Sequence, residues 1–254
     1  HWLKDDDTAA VTGAPVRFQA IGSPKWFRTN AYPFPEATPT RLYLGLGGGL
    51  HATPSADEST ATLQYLSRGP VSGRSLEQWS LGMGSFMVSQ TGRSVRYDQD
   101  NTRLQRDALT YTSDAFDTEQ LLAGPVGLTI FATADRSETL WVAHLDDVSP
   151  EGVSRPLTQG ALLGSHRTLD PDASWLLPDG AVLRPQHIST RQAAAPVVPG
   201  ELTRYDIEVF PTAALLAPGH RLRLTVTTYD FPHLVPTRPQ RTALTGGTYR
   251  ISQG

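Results

Sequence analysis

Residues 216–234, LAPGHRLRLTVTTYDFPHL, concentrate His220, His233, Arg221, Arg223 and Asp230 beside a patterned apolar run. An imidazole works as a general base only when a nucleophile lies within hydrogen-bond reach and an acid orients the ring. The spacing here argues for structure instead. Leu222, Leu224 and Val226 alternate with Arg221, Arg223 and Thr225, the period-two pattern of a strand. Pro218 and Gly219 form a turn pair, so His220 falls at a turn-to-strand junction and His233 in a proline-flanked loop. Rim histidines capping turn groups are the favoured reading of both.

Nucleophilic serines of α/β hydrolases sit in G-x-S-x-G at a strand-to-helix elbow. GRSLE (73–77), GMGSF (82–86) and GRSVR (92–96) come nearest, and each lacks the second glycine where it is needed. Asp5, Asp6 and Asp7 resemble half a calcium loop but lack the alternating ligands and distal glutamate of an EF-hand; a solvated linker is favoured, and a structural calcium is left unsupported. GLGGG (45–49) departs from G-x-G-x-x-G because Leu50 takes the last position, and it reads as a turn. Asp146 and Asp147 could share acid–base work, against a favoured strand-end reading. His166, Arg167 and Asp170, with His220, are expected as a structural polar cluster, architectural rather than catalytic. No catalytic residue, metal ligand or cofactor is assigned.

The elements that position these residues read as strands. Gly (22) and Pro (20) punctuate short alternating runs along the whole chain. PVRFQAIG puts Val16, Phe18 and Ala20 on one face, and TRLYLGL does so with Leu42, Leu44 and Leu46. GPVGLTIFATA aligns Val126, Leu128, Ile130 and Ala132; LTRYDIEVF aligns Tyr205, Ile207 and Val209. Helical spacing is nearly absent, and NTRLQRDAL is expected to make no more than a turn or two. Such a pattern predicts an all-β antiparallel sandwich with few short helices. Residues 67 to 106 are the least regular, and a long irregular excursion is usually functional or mobile.

A chain of 254 residues with net charge −3 and 19% charged residues has no long-range attraction for nucleic acid or an anionic membrane. No apolar run approaches the ~20 residues a spanning helix needs. The absence of cysteine excludes disulfides, thiol nucleophiles and cysteine-held metal, and leaves the compartment open. The N-terminal HWLKDDDTAAVTGAP, with no starting methionine and no signal-peptide pattern, is expected to enter a longer protein partway through.

Several segments, in order, resemble a known family. HWLK followed by PVRFQAIGSPKWFRTNAYPFP resembles the end of an α/β-hydrolase domain crossing into a third domain. ATPTRLYLGLGGGL, RDALTYTSDAF, the run from LLAGPVGLTIF to GSHRTLD, and VPGELTRYDIEVFPTAALLAPGHRLRLTVTTYDFP are similar to the C-terminal domain of the cocaine esterase and Xaa-Pro dipeptidyl-peptidase (CocE/NonD, peptidase S15) group. The resemblance implies a jelly-roll sandwich of galactose-binding type. It also implies residues 1–30 as the tail of an upstream hydrolase domain, and 31–254 as the C-terminal domain. The parent would be a serine hydrolase whose Ser-Asp-His triad lies upstream of His1. YLSRGPVSGRSLEQW departs from the family's aspartate-proline-proline wording, at loops that can wall the acyl pocket in relatives.

The expected function is therefore a non-catalytic domain that packs on its catalytic neighbour, shapes its cleft and leaves homo-oligomerisation open. Phe86 and Met87, apolar in a glycine-rich segment, are the candidates for the cleft wall, against simple packing under the loop. Two rivals stand beside it. A carbohydrate-binding module would use Trp26, Trp79 or Trp175, and a freestanding metal-assisted enzyme would use His166, His220 and Asp147.

Overall fold

Alternating side chains become sheet wherever the glycine and proline turns let neighbouring strands return. The computed structural model describes residues 14–56, 58–67, 69–70, 72–92 and 100–253. Asp5 to Asp7, the first part of the expected hydrolase tail, and Ser94 of GRSVR lie outside them. The described residues open with a hairpin of β1 (Val16–Gln19) and β2 (Trp26–Thr29), then a short pair, β3 (Tyr43–Leu44) and β4 (Leu50–His51). The long strands follow: β5 (Ser59–Gln64), β6 (Leu109–Thr112), β7 (Gln120–Ala134), β8 (Leu140–Val148) and β9 (Ser154–Leu163). A small hairpin, β10 (Trp175–Leu176) and β11 (Val182–Arg184), precedes β12 (Thr203–Leu216), β13 (Arg221–Thr227) and β14 (Thr248–Gln253). Among the described residues three short α-helices interrupt them: α1 (Gly73–Trp79), α2 (Met83–Ser89) and α3 (Arg238–Leu244).

Eight strands form one sheet in the order β5-β14-β7-β12-β9-β8-β13-β6, each neighbour antiparallel. Its middle is a seam. β12 runs beside β7 over nearly its whole length, yet it meets β9 in register only at Val209 and Gly160. β12 also shifts register between Val209 and Thr212, at Phe210 and Pro211; a bulge with a proline bends a strand. A Cβ on Gly160 would stand 1.8 Å from the Glu208 carbonyl oxygen, so only glycine lets the strands approach this closely. The two halves turn face to face across the seam. Trp141 of β8 packs against Tyr205 of β12 and Tyr249 of β14, with ring centroids 5.2 and 4.8 Å apart. Those three rings, with Ile130, Ile207, Leu224, Val226 and Ile251, make the core of an all-β sandwich, as the alternation predicts.

Two expectations need correction. The Leu42–Leu44–Leu46 alternation does not continue as a strand. β3 stops at Leu44, and Leu46–Gly48 form a 3-10 turn in which Gly47 and Gly48 take positive φ. The excursion at 67–106 is less irregular than expected. It carries α1, α2 and a 3-10 helix over Asn101–Asp107, the last being the short turn foreseen at NTRLQRDAL.

The described parts of the excursion meet the outer face of the β9-β8-β13 leaf through Arg74, Ser75, Asn101 and Gln105. Gln159, His144 and Thr225 are direct cross-strand neighbours on that face, and all are fully buried. An outward sheet face ordinarily meets water and so carries polar residues. Here the polar residues are present, but protein covers them.

Candidate functional site

The stretch at 216–234 resolves into the end of β12, a turn at Pro218–Gly219, β13, and a loop over 228–234. The loop folds back on the covered polar face and brings Asp230 under α1. Asp230 is 1% exposed. Its Oδ1 accepts from the Ser75 hydroxyl at 2.5 Å, and its Oδ2 accepts from Gln159 Nε2 at 2.9 Å and lies 3.0 Å from His233 Nδ1. Gln159 also donates to Ser75 Oγ at 2.9 Å. Burial pushes the Asp230 carboxyl up, but the His233 bond, the nearby His144 and the Ser75 bond outweigh it, leaving the group below its ordinary value. An ionised carboxylate only accepts, so His233 Nδ1 carries the proton. The indole of Trp79, from the last turn of α1, covers the other side of this imidazole.

A second carboxylate anchors the far end of the excursion. Asp146 accepts from Asn101 Nδ2 at 3.0 Å and from Gln105 Nε2 at 3.2 Å; Gln105 in turn accepts from Arg223 at 2.8 Å. Burial holds Asp146 above the ordinary carboxylate range despite His144 and those two amides. The excursion is thus an arm fixed at both ends to the sheet by buried carboxylates.

One face of α2 is apolar and exposed. Met83, Phe86 and Met87 are 68%, 66% and 69% exposed. They sit at i, i+3 and i+4 of α2, so they share one helical face. Leu81, between the helices, is 90% exposed and has φ 54°. The Gly82 amide donates to the Glu77 carbonyl at 2.9 Å, which is the closing bond of a Schellman motif. Leu81 therefore holds the left-handed position that glycine usually takes there.

The family model described as X-Pro dipeptidyl-peptidase C-terminal non-catalytic domain matches residues 9–249. The chain belongs to that family. It is 28% identical over 235 residues to a Mycobacterium bovis protein named as a serine esterase, covering 92% of this chain and 35% of that protein. It is 24% identical over 257 residues to the cocaine esterase of a Rhodococcus species, covering 97% of this chain and 39% of that enzyme. The chain thus spans little more than a third of the length of these relatives. An aminopeptidase structure from a marine-sediment Thaumarchaeota archaeon superposes with a TM-score of 0.71 at 21% identity, over 94% of this chain and 38% of that one. That likeness shows the shared fold. The resemblance read from the collinear segments is borne out.

For a member of the X-Pro dipeptidyl-peptidase C-terminal family, the Ser75–Asp230–His233 cluster is notable for its order. In a catalytic triad the imidazole stands between hydroxyl and carboxylate. Here the carboxylate stands between, Ser75 is fully buried, and a carboxylate with a lowered pKa is a poor base. The cluster is a clamp. The other histidines with hydrogen bonds among the described residues are His220, whose Nδ1 lies 2.7 Å from Asp147 Oδ1, and His187, on the Asp206 carbonyl.

The cluster expected from His166, Arg167, Asp170 and His220 is not one unit. Arg167 donates to the carbonyls of Gly164 and Ala195, and Asp170 accepts from the amides of Asp172 and Ala173. His166 follows the end of β9 that pairs with Leu140, while His220 flanks Val148. The length of β8, about 25 Å at ~3.3 Å per residue, separates them. The trio His166, His220 and Asp147 is therefore divided: His220 and Asp147 pair, and His166 is remote. Trp26, Trp79 and Trp175 occupy three separate elements, beside Arg17, His233 and Arg184 respectively. Phe86 and Met87 are exposed, and they stand on a helix rather than in the expected loop. The clamp was missed, since Ser75 and Asp230 are 155 residues apart; the Asp230-x-x-His233 spacing was its one local sign.

Proposed function

We propose that this chain is the non-catalytic β-sandwich of a serine hydrolase that cleaves an ester or an X-Pro dipeptide amide. It packs on the α/β-hydrolase domain, and the apolar face of α2 walls the cleft where the acyl or P1-side group sits. The observation that carries this reading is the arm itself: an exposed stripe of Met83, Phe86 and Met87 raised on buried polar anchors. A free surface has no use for such a stripe, and apolar groups of this size gain when a partner covers them. The relatives' extra length supplies that partner, a hydrolase domain in the same polypeptide.

Replacing Phe86 with Ala in the full-length protein tests the reading. On p-nitrophenyl esters the variant should lose about tenfold in kcat/KM for a long acyl chain relative to acetate, the scale of one to two methylenes in an apolar pocket. An unchanged ratio on esters, and on X-Pro p-nitroanilides, sinks it.

A further inference from the structure

On its N-terminal side α2 is joined to the domain through α1, and a buried carboxylate grips α1 at two places. Asp230 grips Ser75 directly, and it fixes the imidazole on which Trp79 lies. Arg74 adds a bond to the Leu157 carbonyl. From α1 the connection to α2 is short and rigid: the Gly82 amide on Glu77, the Met83 amide on the Ser80 carbonyl at 3.0 Å, and the Gly84 amide on Ser80 Oγ at 2.9 Å. A few tenths of an ångström of slack at Ser75 would be carried to Phe86 and Met87. Leu81 points the same way. A non-glycine residue in a left-handed C′ position is strained, and here that strain is kept on an apolar side chain that the domain itself leaves exposed.

We infer that Asp230 is a positioning residue for acyl selectivity: through Ser75 and the Trp79–His233 stack it fixes the angle at which α2 meets the cleft. The inference rests on the reading of α2 as cleft wall. Side chains that touch substrate discriminate only if their support is locked by packing and buried hydrogen bonds, and Asp230 supplies that lock from the sheet.

The test uses the full-length protein with Asp230→Asn, Ser75→Ala, Trp79→Ala and Phe86→Ala. Trp79 is half exposed, so its variant keeps the fold even where the Asp230 variant loses it. Two readouts are taken: kcat and KM for p-nitrophenyl acetate and hexanoate, and hydrogen exchange across residues 73–89. The three clamp variants should speed exchange in α1 and α2, with β8 still protected. They should also shift the hexanoate-to-acetate ratio in the direction of Phe86→Ala by about threefold or more, with the loss in KM rather than kcat. Faster exchange with an unmoved ratio, while Phe86→Ala shifts it, overturns the positioning role and leaves the cleft wall standing. Unmoved exchange in all three clamp variants overturns the clamp whatever the kinetics. A Phe86→Ala protein with wild-type ratios, or a full-length protein that turns over neither ester nor X-Pro anilide, removes the cleft wall and the inference with it.

Discussion

The imidazole of His233 lies flat on the indole of Trp79, with ring centroids 3.9 Å apart and planes 1° from parallel. This contact joins the last turn of α1 to the loop after β13, and Asp230 holds the imidazole from its other side. A surface helix is in this way tied to the centre of a sheet leaf.

Asp230→Asn should lower the free energy of unfolding by about 2 kcal/mol near neutral pH, the scale of a hydrogen bond to a buried charge. The folded carboxyl titrates below its unfolded value, which lies near 4. Its contribution is therefore complete above about pH 4 and is lost as pH falls through the depressed folded value. Urea unfolding followed by tryptophan fluorescence should show a gap between wild type and variant at pH 5 that closes as the pH falls below about 4. A gap that does not narrow on that further acidification contradicts the clamp.

Leu81→Gly should relieve the left-handed strain and stabilise the isolated chain by about 1 kcal/mol. The same change removes apolar surface from the tip of the arm. In the full-length protein the gain should shrink or reverse, because the glycine gives the partner domain nothing to bury. Equal stabilisation in both settings would mean that the tip touches nothing.

Gly160→Ala should destabilise the fold by about 3 kcal/mol, since its Cβ meets backbone at the seam and not a yielding side chain. Gly180→Ala, with positive φ but open space around it, should cost only about 1 kcal/mol. Denaturant midpoints compare the two directly. Equal losses would mean that the seam tolerates separation.

How far the sequence could be read follows from which contacts are local. Tyr205, Ile207 and Val209, and Leu222, Leu224 and Val226, are buried as their alternation predicts, because period-two patterning is a property of the strand alone. The same alternation marks Thr225 as outward-facing, which it is, yet it is fully buried; the cover comes from an arm distant in sequence. Met83, Phe86 and Met87 already stand at helical spacing. Three glycines nearby and a run of only seven helical residues made the segment read as loop. The clamp was illegible for the same reason as the cover. Ser75, Gln159 and Asp230 sit in three ordinary local contexts and become one site only when the leaf and the arm close.

The central claim, that this chain shapes a hydrolase site without supplying its nucleophile, is tested most directly by labelling. The full-length protein is treated with a fluorophosphonate until activity is lost, digested, and the modified serine located by mass spectrometry. The account predicts one labelled serine outside residues 1–254, with Ser75 unmodified. Stoichiometric phosphonylation of Ser75, or of any serine within these residues, would contradict it.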